Sequence, residues 1–270
     1  MNTQSASQLR RLRSLVSGAF DPPPGKKRIL TAVVFGLLVH SVFLAAVVAM
    51  VAALYTGMTV SLGTVAWPYA GLANAALLLQ FPLLHSFLLT RLGSKLLGSL
   101  VPGYGGTLGT TTYAIIASIQ LLALFLLWTP SGIVWWQAEG KILVLATFAH
   151  AVSWLLLAKA SLDAGAEVQS GALGWLSLLQ DVKPRFPEMP TGGLFSVIRQ
   201  PIYVAFALTT WTVPVWTPDQ LAVALTLTSY CLVAPLMKER RFEIRYGKSF
   251  RVYRSSVPYA IPHLTRGERQ

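Results

Sequence analysis

Apolar residues in this chain do not alternate or keep to one helical face. They run on in long blocks with no charge, from Ile29 to Thr90, Leu96 to Ala138, Ile142 to Ala158 and Gln200 to Pro218. A bilayer core about 30 Å thick needs about 20 apolar residues of helix. Dividing the blocks at their Gly, Pro and Ser/Thr breaks gives four single spans: Ile29–Tyr55, about Trp67–Thr90, Thr111–Trp128 and Ile142–Ala158. Between Pro201 and Met237 the run is interrupted by Pro214, Trp216, Pro218 and Asp219, which predicts two helices joined by a Pro-broken turn. The expected fold is an all-α integral membrane protein of about six spans, because a helix satisfies its own backbone in lipid and nothing here alternates like barrel strands.

Composition agrees: of 270 residues, 54% are hydrophobic and 12% charged, against roughly 25% charged in soluble domains. The formal charge of +12 argues for basic loops on one membrane side rather than for nucleic acid. Arg10, Arg11, Arg13, Lys26, Lys27 and Arg28 precede the first span, Arg91 and Lys95 follow the second, and Lys159, Lys183, Arg185 and Arg199 follow the fourth. The segment from Lys238 to Gln270 is basic as well, including Arg266 and Arg269, whereas the other side receives Lys141, Glu139 and Asp219. The positive-inside rule then puts both termini in the cytoplasm and the chain in the inner (cytoplasmic) membrane. Residues 1–28 form a basic cytoplasmic segment, 29–237 the transmembrane domain and 238–270 a cytoplasmic tail. The basic N-terminal stretch is not a signal peptide. Leu9, Leu12, Leu15 and Val16, interleaved with arginines, suggest either a short helix on the anionic leaflet or a disordered basic tail.

Cys231 is alone, so no disulfide is expected. His40, His85, His150 and His263 stand singly, and no metal site is expected. Gly93, Gly98, Gly103, Gly105, Gly106 and Gly109 do not have dinucleotide-fingerprint spacing and read as a flexible turn. His85, with Gln80, Pro82 and Ser86 near the cytoplasmic end of the second span, is an ionisable group at membrane depth, and reads equally as a candidate for chemistry and as a hydrogen-bonded interhelical contact. His150 reads more as an interhelical contact.

The densest chemistry lies in the C-terminal third: Gly193-Leu194-Phe195-Ser196-Val197-Ile198-Arg199-Gln200-Pro201-Ile202-Tyr203, the hairpin, Lys238-Glu239-Arg240-Arg241-Phe242 through Tyr246, Phe250 and Tyr253, and Val257-Pro258-Tyr259-Ala260-Ile261-Pro262. An antiparallel hairpin brings Arg199 and Glu239 to the same mouth. There an Arg can meet a carboxylate, a Glu can take an ammonium or hydroxyls, and tyrosine rings can face a heterocycle or a cation.

This segment resembles the signature of the membrane methyltransferases related to isoprenylcysteine carboxyl methyltransferase and phospholipid N-methyltransferase. Residues Asn74–Ser86, Leu126–Pro130 and Gly174–Leu176 are similar to stretches of the bacterial methanethiol S-methyltransferase branch. The resemblance implies a cytoplasmic S-adenosylmethionine site formed by Arg199, Gln200, Pro201, Tyr203, Glu239, Tyr246 and Tyr253. It also implies a small or lipophilic thiol, carboxylate or headgroup as acceptor, reached from the membrane. If the acceptor is a thiol, some group must take its proton, and His85 is the candidate. The chain departs from the pattern at Gln200 (usually His), Ala205 (Gly), Lys238 (Glu) and Arg241 (Asp). Two further readings stand beside it: an NADPH-dependent reductase of the sterol type, which Val257-Pro258-Tyr259 suits, and a non-catalytic membrane protein that keeps the fold. The oligomeric state stays open.

Overall fold

The computed structural model describes residues 3–262, with side chains described from Arg10 onward; His263, Arg266 and Arg269 lie outside the described residues. The chain forms ten α-helices among the described residues: α1 (Thr3–Ser17), α2 (Lys26–Tyr55), α3 (Tyr69–Leu88), α4 (Arg91–Ser99), α5 (Gly105–Leu126), α6 (Gly140–Gln169), α7 (Ala172–Leu179), α8 (Pro201–Trp211), α9 (Pro218–Tyr246) and α10 (Lys248–Ser256). One short antiparallel pairing joins Trp136–Gln137 (β1) to Val215–Trp216 (β2). Among the described residues five helices, α2, α3, α5, α6 and α9, are long and apolar enough to cross a membrane. Their outer faces carry exposed Leu37, Leu44, Leu72, Leu83, Phe148, Leu155, Leu225 and Leu232, a surface that only a lipid solvent accommodates at this extent. The protein is a helical membrane protein.

The sixth expected span takes a shorter form. α8 has 11 residues, about 16 Å at 1.5 Å per residue, shorter than a bilayer core by itself, and the non-helical residues 212–217 complete the passage to the β1–β2 end. Thr212–Thr217 leave the helix at the level of the β1–β2 pairing, where Gln220 Nε2 donates to the Thr210 carbonyl at 2.7 Å and caps the end of α8. In contrast, α6 and α9 have 30 and 29 residues, near 45 Å, and outrun the core. The apolar part of α6 ends near Ala158, as its sequence suggests, but the helix continues through the Lys159–Asp163 ion pair to a break at Gly165. α9 continues nine residues past Met237 to Tyr246, so Lys238 to Tyr246 extend the last helix of the hairpin.

The Gly-rich segment is not a flexible turn. Thr90 caps α4 by accepting from the Gly93 amide at 3.1 Å, and Gly105, Gly106 and Gly109 open α5. A Cβ on Gly105 would lie 1.8 Å from the Gly98 carbonyl oxygen. Glycine here permits close approach of α4 and α5.

Helix association in lipid lacks a strong hydrophobic drive and relies on packing and polar pairs. Gln80 and Gln120 exchange amide bonds between α3 and α5, each donating to the other's backbone carbonyl at 2.9 and 2.7 Å. Asn74 brackets Thr129, donating to its carbonyl at 2.8 Å and accepting from its amide at 2.9 Å. Asp219 accepts from Trp128 Nε1 at 3.1 Å and from the Ser131 amide at 2.9 Å. Around these, Leu54, Phe81, Leu124, Phe125, Val223 and Leu227 form the main core between α2, α3, α5 and α9. At the basic end, Arg28 donates to the Leu178 carbonyl at 2.7 Å and also to that of Leu179, a cation on the carbonyl end of α7. The N-terminal segment is helical, and Gln180 Nε2 holds α1 through the Leu15 carbonyl at 2.7 Å, alongside the Arg11–Glu167 ion pair.

Candidate functional site

The two halves of the C-terminal signature meet at the basic end. Gly193 begins the approach with a positive φ of 61°. A Cβ there would stand 2.3 Å from the Asp163 carboxylate, which accepts from the Leu194 amide at 2.9 Å. This fixes the turn that carries Phe195 inward. Pro201 then starts α8 at a position where its missing N–H costs nothing, with Gln200 almost fully buried before it. From the other side, α9 delivers Lys238, Glu239 and Phe242, and α10 folds back to bury Phe250 and Tyr253.

Glu239 is the joint. Its Oε1 accepts from Arg199 Nε and from Gln200 Nε2, both at 2.8 Å, closing 40 residues of hairpin. Arg199 also donates Nη1 to the Arg254 carbonyl at 3.0 Å and to that of Val257, and its guanidinium lies 5.5 Å from the Tyr259 ring centre. The backbone completes a strap: the Arg199 amide donates to the Pro258 carbonyl at 2.8 Å and the Gln200 amide to that of Tyr259 at 3.1 Å. Tyr253 Oη donates to the Phe195 carbonyl at 2.6 Å. Burial pushes the Tyr253 phenol well above its ordinary value; the Arg199 guanidinium opposes the shift and the Glu239 carboxylate adds to it.

Lys238 completes the wall. Its Nζ lies 5.5 Å from the Phe195 ring centre, 5.6 Å from Tyr203 and 5.4 Å from Phe242, and it donates to Gln200 Oε1 at 3.2 Å. The free space among Arg199, Gln200, Lys238, Glu239 and Tyr253 is about 10 Å³, room for about one water. The donor set suits a cationic organic group in kind, with ring faces beside a carboxylate, while the Lys238 side chain occupies the space.

The structure thus brings together Arg199, Gln200, Tyr203, Glu239 and Tyr253, with Pro201 beside them. Tyr246 does not line the cleft; its ring meets Phe242 edge-on at 5.4 Å, with Arg245 at 5.3 Å from its centre. His85 lies in an adjoining cluster. Tyr113 Oη is 2.6 Å from His85 Nε2, the rings of Phe81 and Tyr230 are 4.9 and 6.2 Å away, and Nδ1 is buried with no hydrogen-bond partner among the described residues. Arg241 is within electrostatic reach of His85, Tyr113, Tyr203 and Tyr230, so the cleft and the His85 cluster share one neighbourhood. His150 accepts from Trp154 Nε1 at 2.9 Å within its own helix, a packing role. The Lys238 cage was missed in the sequence, although Lys238 and Phe242 stand four apart on one helix, the spacing that makes side chains neighbours.

An all-helical membrane protein with a polar, aromatic-walled cleft at one helix mouth is the class that fold and site define. Its relatives refine this. The chain is 28% identical over 202 residues to methanethiol S-methyltransferase of Pseudomonas deceptionensis, covering 74% of this chain and 76% of that protein. It is 28% identical over 204 residues to methanethiol S-methyltransferase of a second Pseudomonas strain, covering 73% and 75%, and 28% identical over 202 residues to Nurim of Rattus norvegicus, covering 70% and 71%. No family model and no solved structure matches the chain. These relatives bear out the resemblance to the isoprenylcysteine methyltransferase-like proteins and are in keeping with a methyltransferase.

Proposed function

We propose that this protein transfers a methyl group from S-adenosylmethionine to a small thiol at the cytoplasmic face of the inner membrane, with both termini on that side. The observation that carries the reading is the joint at Glu239, where Arg199 and Gln200 from one half of the signature meet the carboxylate of the other at 2.8 Å. The names of the methanethiol S-methyltransferase relatives favour a thiol over a carboxylate or a lipid headgroup. In this reading residues 1–28 and 238–270 lie on the cytoplasmic side, and residues 29–237 hold the spans.

When bound, S-adenosylmethionine supplies an electrophilic methyl on a cationic sulfur. Glu239, held by Arg199 and Gln200, fixes the polar end of the cleft. Ring faces beside this carboxylate would suit the positive charge of the donor, and Tyr253 of α10, bonded to the Phe195 carbonyl, closes the side of the cleft. His85, with Nε2 engaged by Tyr113, takes the acceptor's thiol proton at Nδ1. Loss of that proton would leave a thiolate, the nucleophile that methyl transfer from a sulfonium needs, and the transfer would convert thiolate and sulfonium into two neutral thioethers. Positioning supplies most of the acceleration in such an in-line transfer.

One observation favours a second reading, a membrane protein that keeps the fold without the chemistry: the Lys238 ammonium stands where the resemblance places an acid. Turnover decides between them. Protein in lipid nanodiscs, given methanethiol and S-adenosylmethionine, is expected to release dimethyl sulfide into the headspace, and Glu239→Gln is expected to abolish it. No product from the wild-type protein with methanethiol or a panel of larger thiols would favour the second reading.

A further inference from the structure

Lys238 is held in an unusual way. Among the described residues it forms no salt bridge, although Glu239 is its neighbour in sequence, because the Glu239 carboxylate is already engaged by Arg199 and Gln200. Its ammonium is met instead by three ring faces at 5.4–5.6 Å and one amide oxygen, Gln200 Oε1, at 3.2 Å. The rings come from three places in the chain: the turn after Gly193, α8 and α9. Quadrupole faces converging on one point from separate elements form a cage for an organic monocation, and here the chain's own side chain sits in it. The cage opens onto the Glu239 joint, since Phe195, Lys238, Glu239 and Phe242 line the same cleft.

We propose that the Phe195–Tyr203–Phe242 cage is the subsite for the sulfonium of the methyl donor, and that Lys238 is a built-in competitor for it. The proposal rests on the cofactor reading given above. The methyl donor and its demethylated product, S-adenosylhomocysteine, share every group except the methyl and the positive charge that comes with it. A charged donor must displace the ammonium from the rings and then tolerate it nearby, and like charges repel most strongly where water is scarce. The neutral product faces neither demand. The wild-type protein therefore binds the product in preference to the donor, and turnover is governed by the product level and by whatever draws Lys238 out of the cage.

The test is equilibrium binding of S-adenosylmethionine and S-adenosylhomocysteine to the full-length protein in nanodiscs. It compares wild type with Lys238→Met, which keeps the stem and removes the charge, with Lys238→Glu, which restores the acid that the resemblance implies, and with Lys238→Arg, which keeps the charge. The donor-to-product ratio of Kd values is expected to fall at least tenfold in Lys238→Met and further in Lys238→Glu. It should be unchanged in Lys238→Arg, with product affinity steady within about threefold throughout. An unchanged ratio in Lys238→Met and Lys238→Glu, with product still bound, would overturn the cage while leaving the cofactor site in place. Failure of all four proteins to bind either ligand, each unfolding cooperatively, would overturn the cofactor reading and the cage with it.

Discussion

Replacing Glu239 with Gln keeps the shape of the joint and removes its charge. Two hydrogen bonds at 2.8 Å, from Arg199 Nε and Gln200 Nε2, converge on the carboxylate oxygen that loses it, and the Arg199 and Glu239 side chains are 11% and 13% exposed. Removing one partner of a fully buried pair costs about 3–5 kcal/mol, and one hydrogen bond to a charged group contributes about 1.5–3 kcal/mol. Arg199 retains the Arg254 and Val257 carbonyls, and the residual exposure lets water in, so the lower range applies. Glu239→Gln is expected to destabilise the protein by about 2 kcal/mol and Arg199→Met by about the same. The double variant should lose less than the sum, by about 1.5 kcal/mol of coupling, within the span found for residues in direct contact. Reversible unfolding in mixed detergent–SDS micelles measures all four corners of the cycle. Additivity within about 0.5 kcal/mol would refute the joint as an interacting pair.

Gly193→Ala must hold φ near 61° and displace the Asp163 carboxylate from the Leu194 amide, so the same unfolding assay is expected to show a loss of about 2 kcal/mol. The Tyr253 phenol titrates higher in the folded than in the unfolded chain. Its contribution is therefore complete below about pH 10, the unfolded value, and is lost as pH rises from there through the folded value; Tyr253→Phe should abolish this component when unfolding at pH 8 and pH 11 is compared. At pH 8 the same change leaves the Phe195 carbonyl without its donor and should cost about 1–3 kcal/mol. His85→Gln is expected to lower kcat for thiol methylation by about 10²-fold or more with donor affinity unchanged, read by headspace product and binding in parallel. In a Cys231→Ser background, which removes the single cysteine, a cysteine at Gln137 should react with an impermeant maleimide from outside intact spheroplasts, and one at Lys248 only after lysis.

The helices that cross the membrane are legible because their signal is the absence of charge over about 20 residues, and α2, α3, α5 and α6 lie where the apolar blocks lie. The convergence of Arg199 and Glu239 is legible too, since a hairpin returns its two ends to one mouth. What composition hides is the choice between turn and helix in a Gly-rich segment: Gly98 and Gly105 are small because α4 and α5 touch there. The length of α8 is hidden for a similar reason. Its apolar residues run on past Trp211, but Gln220 caps it through a contact across the hairpin. The departure at Lys238 is visible in the sequence as a reversed charge. Its meaning depends on Phe195 and Tyr203, which reach it from other parts of the chain. Tyr246 follows the signature spacing yet faces Phe242 rather than the cleft, because α9 continues as helix to that residue.

Calorimetric titration of S-adenosylmethionine into the wild-type protein in nanodiscs, with Glu239→Gln alongside and NADPH as the competing ligand, tests the central claim most directly. Saturable binding of S-adenosylmethionine to the wild type, weakened at least tenfold in Glu239→Gln and indifferent to NADPH, is the expected result. Binding of NADPH in its place, or S-adenosylmethionine binding that Glu239→Gln leaves unchanged, would contradict it.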